Sequence, residues 1–173
     1  AAPVVLDPVM VAKSGDALLD PEAVAALRDR LLPRAALVTP NLPEAAQLLG
    51  EAEAADADAM ARQGERLRAL GAGAALVKGG HGAGAESVDI LAAPGAEPRR
   101  HAAPRVATRN THGTGCTLSS AIAARLALGD ALADAVEAGK SYLTGALEAA
   151  DGLGVGRGHG PVHHFHALWP PRG

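Results

Sequence analysis

The chain has 173 residues, with 16 Lys and Arg against 19 Asp and Glu and a formal net charge of −3 with neutral His. That length suits one domain or a large piece of one. A slightly acidic chain with one Trp, one Tyr and one Phe lacks the basic stripe and stacking platforms of a nucleic-acid binder, so no nucleic-acid partner is expected. Charged residues make up 20% and hydrophobic residues 48%, which does not suit disorder. Ala alone accounts for 41 positions, so the core must lean on Leu, Val and Ile. A single cysteine, Cys116, excludes an internal disulfide framework and a Cys-rich zinc site. No apolar run reaches the roughly 18 residues that span a bilayer, and no signal peptide is visible, so no membrane partner is expected. The chain opens without Met, within four residues of a strand-like VVLD, and is read as lacking its natural beginning.

Taken in order, Pro3 to Met10 is a short apolar run broken by Asp7-Pro8, suited to a parallel strand buried on both faces. Asp20-Pro21-Glu22 opens a helix with Val24, Leu27 and Leu31 on one face. Ala35 to Thr39 is a second strand. Pro40 to Glu44 leads into a helix through Leu49, ended by Gly50. Asp56 to Leu70 predicts a longer helix, with Gly71 just past its end. Ala74 to Lys78 is a third strand before Gly79-Gly80. Ser87 to Ala92 and Arg99 to Ala103 read as hairpin arms around Pro94-Gly95. Thr114 to Leu128 is a small-residue helix ended by Gly129. Asp130 to Ala149 is another, with Leu132, Val136, Leu143 and Leu147 at helical spacing. The tail from Gly152 is Gly- and His-rich, without a period or repeat.

This alternation predicts an α/β fold: a three-layer α/β/α sandwich around a mostly parallel sheet, in a single domain spanning residues 1–173 with a tail from 152 to 173. Ligands in such sheets sit at the carboxyl ends of strands. Asp7, Asn41 with Glu44, and Lys78 each fall at or just beyond a predicted strand end, so three segments deliver polar groups to one edge.

The most informative stretch is Thr108 to Ser119, TRNTHGTGCTLS. Gly113 and Gly115 let the backbone turn tightly as a helix begins, and the N–H groups of that first turn form an anion site. Cys116 falls in this turn, where the positive end of the helix dipole favours a thiolate. The plainer alternative is an ordinary turn with a structural Cys. Asn41 and Glu44 likewise fit a capping box, and Asp7 a simple turn cap. The functional alternative places Asp7, Asn41 and Glu44 around Mg²⁺ or its waters. Lys78 either reaches solvent along its stem or sets a point charge on phosphate oxygens. Convergence at one sheet edge, with Lys78-Gly79-Gly80 nearby, favours the functional reading of Asp7, Asn41 and Glu44, and the anion site favours the phosphate role of Lys78; for the turn that carries Cys116 the plainer alternative stays open. The tail order GHGPVHHFH suits docking through polar contacts better than a specific metal site.

Five segments, VVLDPVMVAKSGDALL, LVTPNLPEAAQLLG, ALVKGGH, TRNTHGTGCTLSSAIAA and GHGPVHHFHALW, closely resemble the bacterial hydroxymethylpyrimidine/phosphomethylpyrimidine kinases of thiamine biosynthesis, within the ribokinase-like superfamily. The likeness covers essentially the whole chain in order. It implies ATP- and Mg²⁺-dependent phosphorylation of 4-amino-5-hydroxymethyl-2-methylpyrimidine and then of its monophosphate, in the cytoplasm. It implies Cys116 as the catalytic residue and the backbone of Gly113, Thr114 and Gly115 as the anion hole. Lys78, with Thr108 and Asn110, is expected at the nucleotide, and Asp7, Asn41 and Glu44 near the metal. A homodimer is compatible with the family.

The departure lies at the front. The family's Gly-rich Asp-Ser-Gly-Gly segment and much of its pyrimidine pocket are not in this sequence, which resembles the C-terminal two-thirds of such an enzyme and lacks its N-terminal strands. An uncovered sheet edge and exposed apolar surface are expected from this. Two alternatives stay open: a pyridoxal or pyridoxine kinase-like enzyme, and a truncated, non-catalytic nucleotide-binding module.

Overall fold

The computed structural model describes residues 2–10, 18–80, 84–155 and 158–169. Of the tail expected over 152–173, residues 156–157 and 170–173 lie outside the described residues. The chain divides into two compact units: Ala1–Ala83 with Ser87–Ala102, and Gly84–Glu86 with Ala103–Gly173.

The expected α/β fold is observed. Five strands, β1 (Val5–Leu6), β2 (Leu37–Val38), β3 (Ala75–Lys78), β4 (Glu86–Ala92) and β5 (Arg99–Pro104), form one sheet in the order β1-β2-β3-β4-β5. β1 pairs with β2, and β2 with β3, in parallel, while β3 and β4 are antiparallel, so the sheet is mixed. The hairpin expectation for β4 and β5 holds, with Gly95 between them at φ 70°. Leu37, Val38, Ala75, Leu76 and Val77 are all fully buried, which is why these strands read as continuous rather than alternating apolar runs. Each such Leu or Val stabilises the fold by roughly 1.5–3 kcal/mol relative to an exposed side chain.

Among the described residues, the first unit also holds three α-helices: α1 (Pro21–Ala26), α2 (Leu42–Leu49) and α3 (Ala57–Ala69). α1 starts as expected, with Asp20 Oδ1 accepting from the Ala23 N–H at 2.7 Å. It then widens into a π-turn, Leu27–Leu31. That turn corrects the expected apolar face. Its wider winding carries Leu31 out to solvent and brings Leu32 into the core, while Leu27 stays buried. α2 ends on Gly50 in the left-handed region, at φ 67°. α3 buries Met60, Gly64 and Leu67 at i, i+4 and i+7. A Cβ on Gly64 would stand 2.9 Å from the Ala92 Cβ of β4, so this glycine sets how closely helix and sheet approach.

The second unit contains α4 (Thr114–Ala127) and α5 (Leu132–Glu148), joined through Gly129 at φ 96°. The two helices pack on each other. The expected leucine face of α5 is only partly realised. Val136 is buried, but the other buried positions are Ala135, Gly139, Lys140 and Ala146 rather than the leucines. A Cβ on Gly139 would lie 2.7 Å from the Ile122 Cγ1. Close helix approach therefore favours the small positions over the leucines. Among the described residues, no helix is long and apolar enough to cross a membrane.

Candidate functional site

The first unit gathers the expected polar groups at the carboxyl ends of its parallel strands. Asp7 follows β1, Thr39 follows β2, and Lys78 ends β3. Lys78 Nζ donates to Asp7 Oδ1 at 2.8 Å, and Thr39 Oγ1 donates to the same oxygen at 3.2 Å. Backbone pairing sets this geometry: the Thr39 N–H donates to Leu6 O, and the Lys78 N–H to Pro40 O. Among the described residues, Asp7 Oδ2 is buried without a hydrogen-bond partner. An orphaned carboxylate oxygen in such a place is costly unless a cation or its water reaches it.

Asn41 and Glu44 form a complete capping box on α2. Asn41 Oδ1 accepts from the Glu44 N–H at 2.9 Å, and Glu44 Oε2 accepts from the Asn41 N–H at 2.8 Å. The structural role weighed for these residues is thus present, and it occupies one oxygen on each. Asn41 also forms a parallel bridge with Lys78. Burial pushes the Glu44 carboxyl above the usual carboxylate range. The Asn41 N–H and the Lys78 charge partly oppose that rise, and the Asp7 charge adds to it.

Two further residues of this cluster were not singled out from sequence. Thr39 ends an apolar strand, where a hydroxyl reads as an ordinary terminator. Asp89 sits opposite Lys78 in the β3–β4 register, and its Oδ1 accepts from the Gly79 N–H at 3.1 Å. An acidic residue inside an apolar β4 run was the available signal. Gly79 is sterically required, because a Cβ there would lie 2.3 Å from Val88 O. Among the described residues no group of three or more His, Cys, Asp and Glu converges. The metal candidates are therefore two carboxylates and an amide.

In the second unit, Gly113 is the N-cap of α4, at φ 82°, with no side chain to cap the first turn. The first intrahelical bond runs from the Thr117 N–H to Gly113 O at 2.9 Å. The N–H groups of Thr114 and Gly115 precede it and, as first-turn donors, have no carbonyl of their own helix to bond. Cys116 is exposed and forms no disulfide. Oriented N–H groups without an N-cap side chain are the physical requirement for anion binding.

Thr108 and Asn110 lie on an open cleft of about 660 Å³ that Ala107, Arg109, Asp151 and Gly158 also line. Their side chains bond internally. Thr108 Oγ1 donates to Asp151 Oδ1, and Asn110 Nδ2 donates to that oxygen at 2.9 Å. Asn110 Oδ1 accepts from the Gly160 N–H at 3.0 Å. Both ends of the Asn110 amide thus tie the approach to α4 to later segments. Asp151 is the residue sequence reasoning missed here, since an acid after α5 carries no local sign of a partner some forty positions earlier.

The sequence profile of the phosphomethylpyrimidine kinase family matches residues 1–163. The chain is 58% identical over 165 residues to a hydroxymethylpyrimidine/phosphomethylpyrimidine kinase of Rhizobium meliloti, covering 95% of this chain and 62% of that protein. It resembles the pyridoxal kinase of Staphylococcus aureus solved in complex with ADP, with TM-score 0.86 and 31% identity over 97% of this chain and 60% of that one. It also resembles the phosphomethylpyrimidine kinase of Clostridium difficile, with TM-score 0.69 and 41% identity over 84% of this chain and 58% of that one. The chain belongs to the phosphomethylpyrimidine kinase family. It spans less than two-thirds of the length of these relatives.

Proposed function

We propose that the protein transfers the γ-phosphoryl group of ATP to the hydroxymethyl group of 4-amino-5-hydroxymethyl-2-methylpyrimidine, and then phosphorylates the resulting monophosphate. The observation that carries this reading is the first turn of α4, which starts at Gly113 without an N-cap side-chain bond and carries the exposed Cys116, in a chain of this family.

Phosphoryl transfer depends on positioning and charge neutralisation more than on covalent assistance. The N–H groups of Gly113 to Cys116 are assigned to the charge that develops on the phosphoryl oxygens, where one such donor is typically worth about 3 kcal/mol. Cys116 is assigned as the base. As the substrate oxygen bonds to phosphorus and the bond to ADP breaks, the hydroxyl proton passes to Sγ. Lys78 is assigned to the ATP phosphates as a point charge.

The donor set of the first unit fits a hydrated Mg²⁺. Mg²⁺ takes oxygen ligands and keeps several waters, and the orphaned Asp7 Oδ2 is an unused anionic acceptor. Asp7, Asn41 and Glu44 would hold it, and it would supply positive charge to the nucleotide phosphates.

A second reading is pyridoxal phosphorylation, supported by the likeness to the Staphylococcus aureus enzyme. One experiment tests both. The chain is supplied with ATP and Mg²⁺ and with either the pyrimidine or pyridoxal, and ADP release and the phosphorylated product are quantified. Preferential turnover of the pyrimidine supports the first reading. Preferential turnover of pyridoxal transfers support to the second. ATP binding without turnover of either leaves a nucleotide-binding module.

A further inference from the structure

The tail of the second unit is bonded to both sides of the α4 turn. Just before Gly113, the His112 N–H donates to Gly160 O at 3.2 Å, and the Val162 N–H donates to His112 O at 3.4 Å. Val162 is fully buried, which anchors this short parallel bridge. The tail then follows α5: the His163 N–H donates to Ala146 O at 2.9 Å, and the Tyr142 hydroxyl donates to His164 O at 2.7 Å. Finally, His164 Nε2 lies 3.0 Å from Thr117 Oγ1, immediately after Cys116.

That last bond is informative because Thr117 has a local alternative. A helical Ser or Thr commonly bonds the carbonyl four residues earlier. Ser119 does so, donating to Gly115 O at 3.1 Å, and Thr144 donates to Lys140 O at 2.9 Å. For Thr117 the same bond would fall on Gly113 O, within the turn itself. Thr117 is buried and engages His164 instead. Gly113 has no Cβ, and one built there would meet nothing within 4 Å among the described residues, so packing of its own side chain does not hold the turn. Among the described residues, the bonds at its flanks, at His112 and Thr117, constrain it.

We propose that the His164–Thr117 bond is a clamp that holds the first turn of α4 in its anion-binding geometry, which makes His164 a positioning residue for phosphoryl transfer. The consequence for turnover rests on the kinase reading above, while the clamp itself is testable without it. Because donors must meet developing charge within narrow angles, a loosened turn lowers the rate of transfer and leaves nucleotide binding elsewhere nearly intact.

The test compares Thr117→Val, Thr117→Ser, His164→Ala and the Thr117→Val/His164→Ala double variant in the intact chain. Melting curves confirm folding. Two quantities are read. The first is the rate at which iodoacetamide alkylates Cys116, an unambiguous signal because the chain has one cysteine. The second is kcat against the KM for ATP. Thr117→Val and His164→Ala should each slow alkylation several-fold and lower kcat by about tenfold, with KM for ATP changed less than about twofold. The double variant should be no worse than either single one, and Thr117→Ser should restore both readouts. Should His164→Ala fail to fold, Thr117→Val decides, since it deletes one hydroxyl. Alkylation unchanged or faster in a folded Thr117→Val overturns the clamp. Absence of kinase activity in the unmodified chain overturns the kinase reading alone, because alkylation still reports on the turn.

Discussion

Lys78 Nζ donates to Asp7 Oδ1 at 2.8 Å, although β2 separates the strands that carry the two residues. Both side chains lean over the carboxyl end of that middle strand, where Thr39 donates to the same aspartate. Their side chains are only 12% and 15% exposed, so the pair is largely removed from water. Removing one member of such a pair leaves the other as an uncompensated charge.

Lys78→Met should therefore destabilise the chain by about 3 kcal/mol in urea unfolding. Adding Asp7→Asn should recover part of that loss, because the stranded charge is gone. If the single substitution costs less than about 1 kcal/mol, within the range of surface pairs, the pair is effectively solvated and the interpretation is wrong.

Glu44 supplies a pH signature. Burial raises its carboxyl pKa in the folded chain, so the folded state binds this proton more tightly than the unfolded state does. Its contribution to stability is present below the unfolded carboxyl pKa and is lost as pH rises through the raised folded value. Glu44→Gln keeps an oxygen for the capping box but does not titrate. Between pH of about 4 and about 7, the variant should gain stability relative to the wild type. Unfolding curves across that range check the sign, and a flat or opposite trend rejects it.

Cys116→Ala tests the base. In the pyrimidine kinase assay, turnover should fall by roughly 10² to 10⁴, the usual worth of a positioned general base. Calorimetric ATP affinity should stay within about threefold, because the anion-binding groups are backbone N–H groups that Ala retains. Undiminished turnover would take the base role from Cys116.

Gly79→Ala tests the strand end that carries Lys78. The new Cβ would sit 2.3 Å from Val88 O, a backbone atom that cannot rotate away. The expected cost is about 2–3 kcal/mol, typical of overpacking. Gly113→Ala makes a useful contrast, since its Cβ would meet nothing within 4 Å among the described residues and its cost would come from the left-handed φ of 82°. Thermal unfolding of the two variants separates clash from backbone strain.

Much of this molecule is written in local pattern. β3 declares itself by an unbroken apolar run, α2 by Asn41, Glu44 and Gly50, and α4 by a glycine turn leading into small residues. These signals are short-range, because caps, turns and burial periods act within a few residues. They also place Asp7, Asn41, Glu44 and Lys78 at one sheet edge, since parallel pairing leaves strand ends little freedom. Local pattern did not reveal the π-turn that expels Leu31, nor the choice of small residues over leucines on α5. It did not reveal that Thr108 and Asn110 bond to Asp151 and Gly160, or that Thr117 turns from its own helix to His164. Each depends on what a distant segment brings within hydrogen-bond or van der Waals reach, and composition and spacing carry no record of that distance. Sequence alone determined most of the elements, the sheet edge and the chemical groups, because neighbours along the chain decide those. Tertiary structure alone decided which distant groups bond one another and which oxygen, Asp7 Oδ2, has no partner among the described residues, because that outcome depends on packing between segments far apart in the chain.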